Sequence, residues 1–466
     1  METGHMNIFL TFSIYFFRFT FLVLTVIRMI KDVLRILGML ILVPLNLYGQ
    51  SFTSYFTGNI SDTVTRPQGG ICLMGGATEH DEAMKWFLKR SGDGDILVLR
   101  ASGADGYNAY MYNELGIHIN SVETIVFNSK AASGEPYIQE KIKHAEAIWI
   151  AGGDQWDYVS YWRNTAIDSL INDAIINRNI VIGGTSAGMA IQGGFYFSAA
   201  HGTVTSAEAL SDPYNAKMMI DSARFLKNFY LQNVITDTHY DDPDRSGRHV
   251  AFMARIMTDW GTEAKGIAAD AYSAICIDTT GLAHCYGDYP HSNDYLYFLQ
   301  TNCESIHREP ENCSPGSSLE WTRGYKAIRV YKVNGTPSGD KTFDLRDWKS
   351  GYGGTWENWY VSQGVLFKLP GNVPDCSKPT GIESGLKLHE LFIYPNPVTR
   401  GYFNLDYPDE EIKQIFILDI NGTIVRRIPG NSMNHKIIDT SELINGIYFL
   451  LVETATGTRY LKFILL

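Results

Sequence analysis

The chain has 466 residues, too many for one ordinary domain, so two or three are expected. At 45% hydrophobic and 13% aromatic it can fill large cores. A net charge of −11 without any basic run excludes the electrostatic footprint of a nucleic-acid binder.

Residues 7–27 are apolar and aromatic apart from Arg18, and a second apolar stretch covers 36–47, behind Lys31 and Arg35. Residues 29–50 have the layout of a secretory signal peptide: a basic flank, a short apolar core, then small and polar residues around Gly49 and Gln50. Met29 would then be the start, with 1–28 upstream of it; a one- or two-pass membrane anchor is the alternative.

Further along, short apolar runs alternate with amphipathic stretches. Strands are expected at 69–77, 95–103, 122–129, 146–155 and 179–188, and helices at 81–91, 137–145 and, as one long element, 158–177. This alternation predicts right-handed βαβ units and an α/β fold: a mostly parallel sheet with helices on both faces. Three strands end in glycine-rich bends, at Gly75-Gly76, Gly152-Gly153 and Gly183-Gly184. In open α/β sheets the ligand crevice lies beyond the carboxyl ends of the strands, so the three bends should meet at one crevice. From about Ala271 the pattern becomes polar/apolar alternation between Gly, Asn and Pro turns, which predicts antiparallel strands that complete or extend the first domain. Residues 371–385 are rich in Pro, Gly and Ser and read as a linker. In the last segment several short strands, with Asn421-Gly422 between two apolar runs, predict a small β-sandwich. The expected division is 1–50 leader, 60–280 α/β core, 281–374 β-rich extension, 375–388 linker and 389–466 sandwich.

Of six cysteines, Cys303 and Cys313 flank a polar loop and make the first candidate bridge; Cys276 and Cys285 flank an expected hairpin and make a second. Cys72, in an apolar run, reads as a buried free thiol. No CxxC spacing occurs, so zinc is not expected; no GxGxxG or P-loop points to a flavin or nucleotide, and no metal or other cofactor is expected.

Gly184-Thr185-Ser186-Ala187-Gly188 fits G-x-S-x-G between a strand and a helix. That pattern sets a serine on a strained turn, with its hydroxyl above the sheet and a helix N-terminus behind it. The Ala187 amide and one from the Gly152-Gly153 bend can then face an oxyanion. The alternative is a glycine-rich turn that binds phosphate, with Ser186 as a ligand. A serine needs a base. His239, which ends an expected strand in VITDTHYDDPDRSGRH, is the strongest candidate; His201 and His118 are weaker.

The motifs GGTSAGMAIQGG, DTHYDDPDRSGRH and AGGDQ, in that company, resemble the cyanophycinase-like serine peptidases, whose fold is like that of the class I glutamine amidotransferases. The resemblance covers about 69–278. It implies cleavage of amide bonds at aspartyl units, in peptides or isopeptides. By position it implies Ser186 as nucleophile, His239 as base, Gly153 and Ala187 as the oxyanion hole, and Gln155, Arg245 and Arg248 as substrate-binding residues. A planar guanidinium suits an aspartyl carboxylate. The sequence departs from the family where a Glu orients the histidine: Ala271 stands there, and Asp270, Asp237 or Glu208 would have to serve. Asp154, Thr238 and Pro243 are further departures, which argue against cyanophycin itself as substrate. The tail, with YPNPV, DINGTIV and GIYFLLVET, resembles the C-terminal sorting domain of type IX secretion. It implies passage through the periplasm to the outer-membrane surface or beyond, with the secretion machinery as partner and membrane contact only during export. A carbohydrate-binding or structural β-module is the other reading. The remaining alternatives for function are a catalytically impaired binding protein on the same scaffold and, behind it, an α/β-hydrolase esterase.

Overall fold

The computed structural model describes residues 6–41, 50–221, 225–376, 392–394, 396–399, 401–406, 412–420, 422–430, 435–454 and 458–466. The chain divides into two compact units, 1–51 and 52–466. The first contains one continuous helix, α1 (Met6–Ile41), which runs through the first apolar stretch and into the second; residues 42–49, the polar end of the expected signal peptide, lie outside the described residues. Among the described residues no helix is long and apolar enough to cross a membrane.

The second unit begins with β1 (Phe52–Gly58), β2 (Gly70–Met74), α2 (Asp81–Lys89), β3 (Asp95–Arg100), β4 (Ser121–Phe127), α3 (Pro136–His144) and β5 (Ala147–Ile150). It continues with α4 (Gln155–Trp162), α5 (Ala166–Ile176), β6 (Val181–Thr185), α6 (Ala187–Ala190), β7 (Val234–Asp237), α7 (Ser246–Trp260), β8 (Lys265–Ala269), β9 (Ala274–Ile277) and β10 (Leu282–Tyr286). Then follow β11 (Tyr295–Thr301), β12 (Ile328–Asn334), β13 (Lys341–Asp344), β14 (Gly351–Tyr352), β15 (Thr355–Ser362) and β16 (Val365–Pro370). The expected long helix over 158–177 is two helices. Asn164 adopts φ +58°, which ends α4, and the Thr165 side chain accepts from the Ile167 amide to start α5.

Among the described residues, one mixed sheet has the order β1-β4-β3-β5-β6-β2-β9-β10-β13-β14. Its five strands from β4 to β2 are parallel. Strand alternation sends Leu97, Leu99, Ile148 and Ile150 to one face, against Ile138, Trp162 and Ile171 of α3 to α5. Ile96, Val98 and Trp149 go to the other face, against Met84, Phe87 and Leu88 of α2. Helices on both faces of a parallel core are the expected α/β architecture. A second sheet, β16-β15-β12-β11-β8-β7, packs Ile235, Leu299, Val330 and Trp359 against Val250, Ala251 and Phe252 of α7. The antiparallel strands after Ala271 are thus shared between the two sheets. Residues 270–273 carry the chain from β8 in the second sheet to β9 in the first.

The tail contains β17 (Phe392–Tyr394), β18 (Tyr402–Asp406), β19 (Ile412–Leu418), β20 (Ile424–Pro429), β21 (His435–Asp439), β22 (Gly446–Thr454) and β23 (Thr458–Leu465). They form two sheets, β17-β18-β21 and β20-β19-β22-β23, around Phe403, Leu405, Ile415, Leu450 and Phe463. β19 and β20 make the expected hairpin, with Gly422 at φ +81°; Asn421 lies outside the described residues.

Both expected disulfides are replaced. Cys303 bonds Cys376, 73 residues away, and Cys313 is a free buried thiol. In the β9–β10 hairpin Cys276 lies opposite His284 and Cys285 opposite Ile275, so the two thiols point to opposite faces and cannot join. Cys276 instead faces Cys72, a free buried thiol as expected, with the sulfurs 3.5 Å apart.

Candidate active site

The glycine bends converge as the strand pattern predicts. Register aligns Met74 with Thr185 and Ile150 with Gly184, so β2, β5 and β6 end together. The Ser186 amide donates to Met74 O at 3.1 Å, and the His239 amide to Gly75 O at 2.8 Å. Ser186 has φ +50° and ψ −116°, and His239 has φ +45°. Two side chains are therefore held at strained backbone positions, the kind that persist where surrounding structure over-determines them. Their side chains meet: His239 Nε2 lies 3.0 Å from Ser186 Oγ.

The turn at Ser186 requires glycine behind it. A Cβ on Gly188 would stand 2.0 Å from Ile150 O, and one on Gly184 2.6 Å from Gly188 C. This close approach lets α6 start directly at the serine. Ala187 is the first residue of α6 and is buried. The Gly152-Gly153 bend lies alongside, since a Cβ on Gly152 would be 3.6 Å from Ser186 Cβ. Among the described residues, the Gly153 and Ala187 amides donate to no protein group. Tyr158, which sequence reasoning passed over, fixes this bend: its hydroxyl donates to Ala151 O at 2.9 Å and to Gly152 O at 3.1 Å. Asp154 accepts from the Trp156 amide and caps α4, and Gln155 stands half-buried at the first turn with no hydrogen-bond partner among the described residues.

Burial pushes the His239 imidazole below its ordinary range; Arg245 adds to this, while Asp241 and Asp237 oppose it. The ring is therefore neutral at neutral pH and can accept a proton.

The two arginines differ. Arg245 is half-buried beside the site, with one guanidinium nitrogen donating to Thr238 O at 2.9 Å and no carboxylate partner among the described residues. Arg248 is not open to a substrate. It is 2% exposed, its Nε and Nη2 bind the two oxygens of Asp237 at 2.8 and 2.5 Å, and Nη1 donates to Thr203 and Val204. Burial alone would raise the Asp237 carboxyl, but Arg248 outweighs it and holds the pKa below the usual carboxylate range. Arg248 thus secures the end of β7 that presents His239. Arg248→Ala leaves a buried carboxylate unpaired and should cost roughly 3–5 kcal/mol, read as a lower urea midpoint.

Asp270 does not hold His239. Its carbonyl packs against Gly75, where an added Cβ would stand 2.0 Å away, and its carboxylate turns aside to accept the Tyr295 amide at 2.7 Å. Burial, against the pull of that amide, raises its pKa to about 7. Between roughly pH 4 and 7 the unfolded chain ionises this group while the folded chain keeps it protonated, so stability falls as pH rises and stays lower above 7. Asp270→Asn should therefore gain stability over wild type progressively from pH 4 to pH 8, by on the order of a few kcal/mol, in melts across that range. Asp237 and Glu208 are committed elsewhere as well: Glu208 forms a capping box with Thr205 and pairs with Lys217 at 2.7 Å.

Residues 72–281 match the model of peptidase family S51, and residues 392–466 match that of the secretion system C-terminal sorting domain. No curated protein matches the chain. Among solved structures, it is similar to a peptidase from an acI-B1 Actinobacterium: 14% identity, TM-score 0.36, over 48% of this chain and 89% of that one. It is also similar to a putative peptidase E protein from Listeria monocytogenes EGD-e: 16% identity, TM-score 0.27, over 45% of this chain and 95% of that one. The chain therefore carries, at residues 72–281, a segment that matches peptidase family S51 and, at residues 392–466, a C-terminal sorting domain of the type IX secretion route.

Proposed function

We propose that the protein is an exported serine peptidase that hydrolyses peptide or isopeptide bonds at aspartyl units through an acyl-enzyme on Ser186. The observation that carries this reading is the 3.0 Å approach of His239 Nε2 to Ser186 Oγ, with both residues at strained φ. Ser186 Oγ attacks the carbonyl carbon while His239 Nε2 takes its proton. The developing oxyanion faces the amides of Gly153 and Ala187, which donate to no protein group among the described residues. His239 then gives the proton to the leaving amine. In the second half it deprotonates a water, whose oxygen attacks the ester and frees the acid and Ser186. Arg245, with an uncommitted edge, suits the aspartyl carboxylate, and Gln155, half-buried at the first turn of α4 after the Gly152-Gly153 bend, offers a second polar contact.

The test is hydrolysis of α- and β-aspartyl dipeptides by the mature protein and its variants. Arg245→Met should lower kcat/KM about 10- to 100-fold for aspartyl substrates, mostly through KM, because a charge-assisted bond to a carboxylate is lost. Equal rates on asparaginyl and aspartyl peptides, with or without Arg245, would remove the aspartyl specificity.

One observation favours a second reading, a catalytically impaired binding protein: Ala271 replaces the orienting acid, and no carboxylate among the described residues is hydrogen-bonded to the histidine. That reading expects aspartyl peptides to bind without turnover.

A further inference from the structure

A relaying imidazole needs its second ring nitrogen held, so that the ring keeps its tautomer and the imidazolium is stabilised as it forms. Among the described residues nothing is hydrogen-bonded to His239 Nδ1. The charged groups facing the ring are Asp241 and Asp237, which favour the imidazolium, and Arg245 and Arg248, which oppose it. Asp237 is spent on Arg248 and on the Thr238 amide. Asp270, on the crossing segment, turns to Tyr295.

Asp241 remains. It is exposed, it follows the base by two residues on the same loop, and only one of its oxygens is engaged. That oxygen, Oδ1, accepts the amide of Ala271 at 3.2 Å. The bond carries the carboxylate to the backbone of the position from which the acid is missing. That backbone lies close to the ring: the next residue, Tyr272, donates its amide to Gly76 O, and a Cβ on Gly76 would stand 2.2 Å from His239 Nε2.

We propose that Asp241 is the positioning residue of His239, supplying from the base's own loop the carboxylate that Ala271 lacks. The inference rests on the serine peptidase reading. Oδ1 stays anchored on Ala271, and Oδ2 turns to the Nδ1 proton in the substrate complex. Apo hydrogen bonds of catalytic groups are commonly long and tighten in the complex.

The experiment uses the full chain and two readouts. One is the pH profile of aspartyl dipeptide hydrolysis. The other is the rate at which a fluorophosphonate labels Ser186, which does not depend on knowing the natural substrate. Asp241→Asn should lower kcat about 10- to 100-fold with KM little changed. Because a charge that favours the imidazolium is lost, the acidic limb of both profiles should move to lower pH. Ala271→Glu added to that variant should recover rate. A role confined to bonding the Ala271 amide, or to a charge felt through space, would leave the rate on the pH plateau unchanged, since Asn accepts that bond equally well and the lost charge alone only moves the limb. Labelling that requires His239 but reaches the same plateau rate in Asp241→Asn overturns this inference alone. A wild-type protein that the probe does not label overturns the peptidase reading along with it.

Discussion

Ser186→Ala is expected to cut hydrolysis of aspartyl peptides by about 10⁴-fold or more, with circular dichroism unchanged. In the proposed mechanism the hydroxyl forms the acyl bond, and no other serine or cysteine is hydrogen-bonded to His239 among the described residues. His239→Ala should lose nearly as much. The double variant should lose little more than either single, because the two groups act in one step. A third substitution separates chemistry from backbone strain. At φ +50° and ψ −116° a side chain is costly, so Ser186→Gly should be as inactive as Ser186→Ala yet more stable than wild type by about 1–3 kcal/mol. Full turnover by Ser186→Ala would end the case for an acyl-enzyme on this residue.

Gly76→Ala should lower kcat about 10²- to 10³-fold without removing any reacting atom. Gly76 sits at φ +119°, and an added methyl would overlap His239 Nε2 at 2.2 Å. The ring can escape only by swinging away from Ser186, and a misplacement of about 1 Å is enough for a loss of that size. Gly188→Ala makes the contrast. Its methyl would meet Ile150 O at 2.0 Å, which is backbone and cannot swing aside, so that variant should lose its fold and not merely its rate. Thermal melts beside the kinetics distinguish the two. A Gly76→Ala protein that works at the wild-type rate would show that the ring has room the structure denies it.

Much of this was legible in the sequence because local pattern decided it. The apolar runs of β2, β3, β5 and β6 are buried on both faces, and Gly75, Gly184 and Gly188 mark where backbone approaches backbone. Ser186 and His239 could be named from motifs alone. What escaped was set by partners far away in sequence. β1 pairs with β4 across about 70 residues, and nothing in its own composition announces that. Arg248 looked like a substrate ligand because Asp237, eleven positions earlier, could not be recognised as its buried counter-charge. Cys303 lies ten residues from Cys313 but bonds Cys376, because spacing does not dictate connectivity. The break at Asn164 escaped because the apolar period runs on through it while one positive φ ends the helix. Asp241 escaped because it was one of several aspartates in a polar loop, and only the amide of Ala271 singles it out.

The crossing at residues 270–273 has a mechanical consequence. Ser186 follows a strand of one sheet and His239 a strand of the other, and the stitch between the sheets is made by the Gly75 amide donating to the Ser273 carbonyl and the Tyr272 amide donating to the Gly76 carbonyl. The gap that proton transfer must bridge is therefore a gauge of how tightly two halves of the molecule are seated. A loosening along that seam would part Ser186 from His239, so the proposed hydrolysis depends on the closed seam and on neither sheet alone.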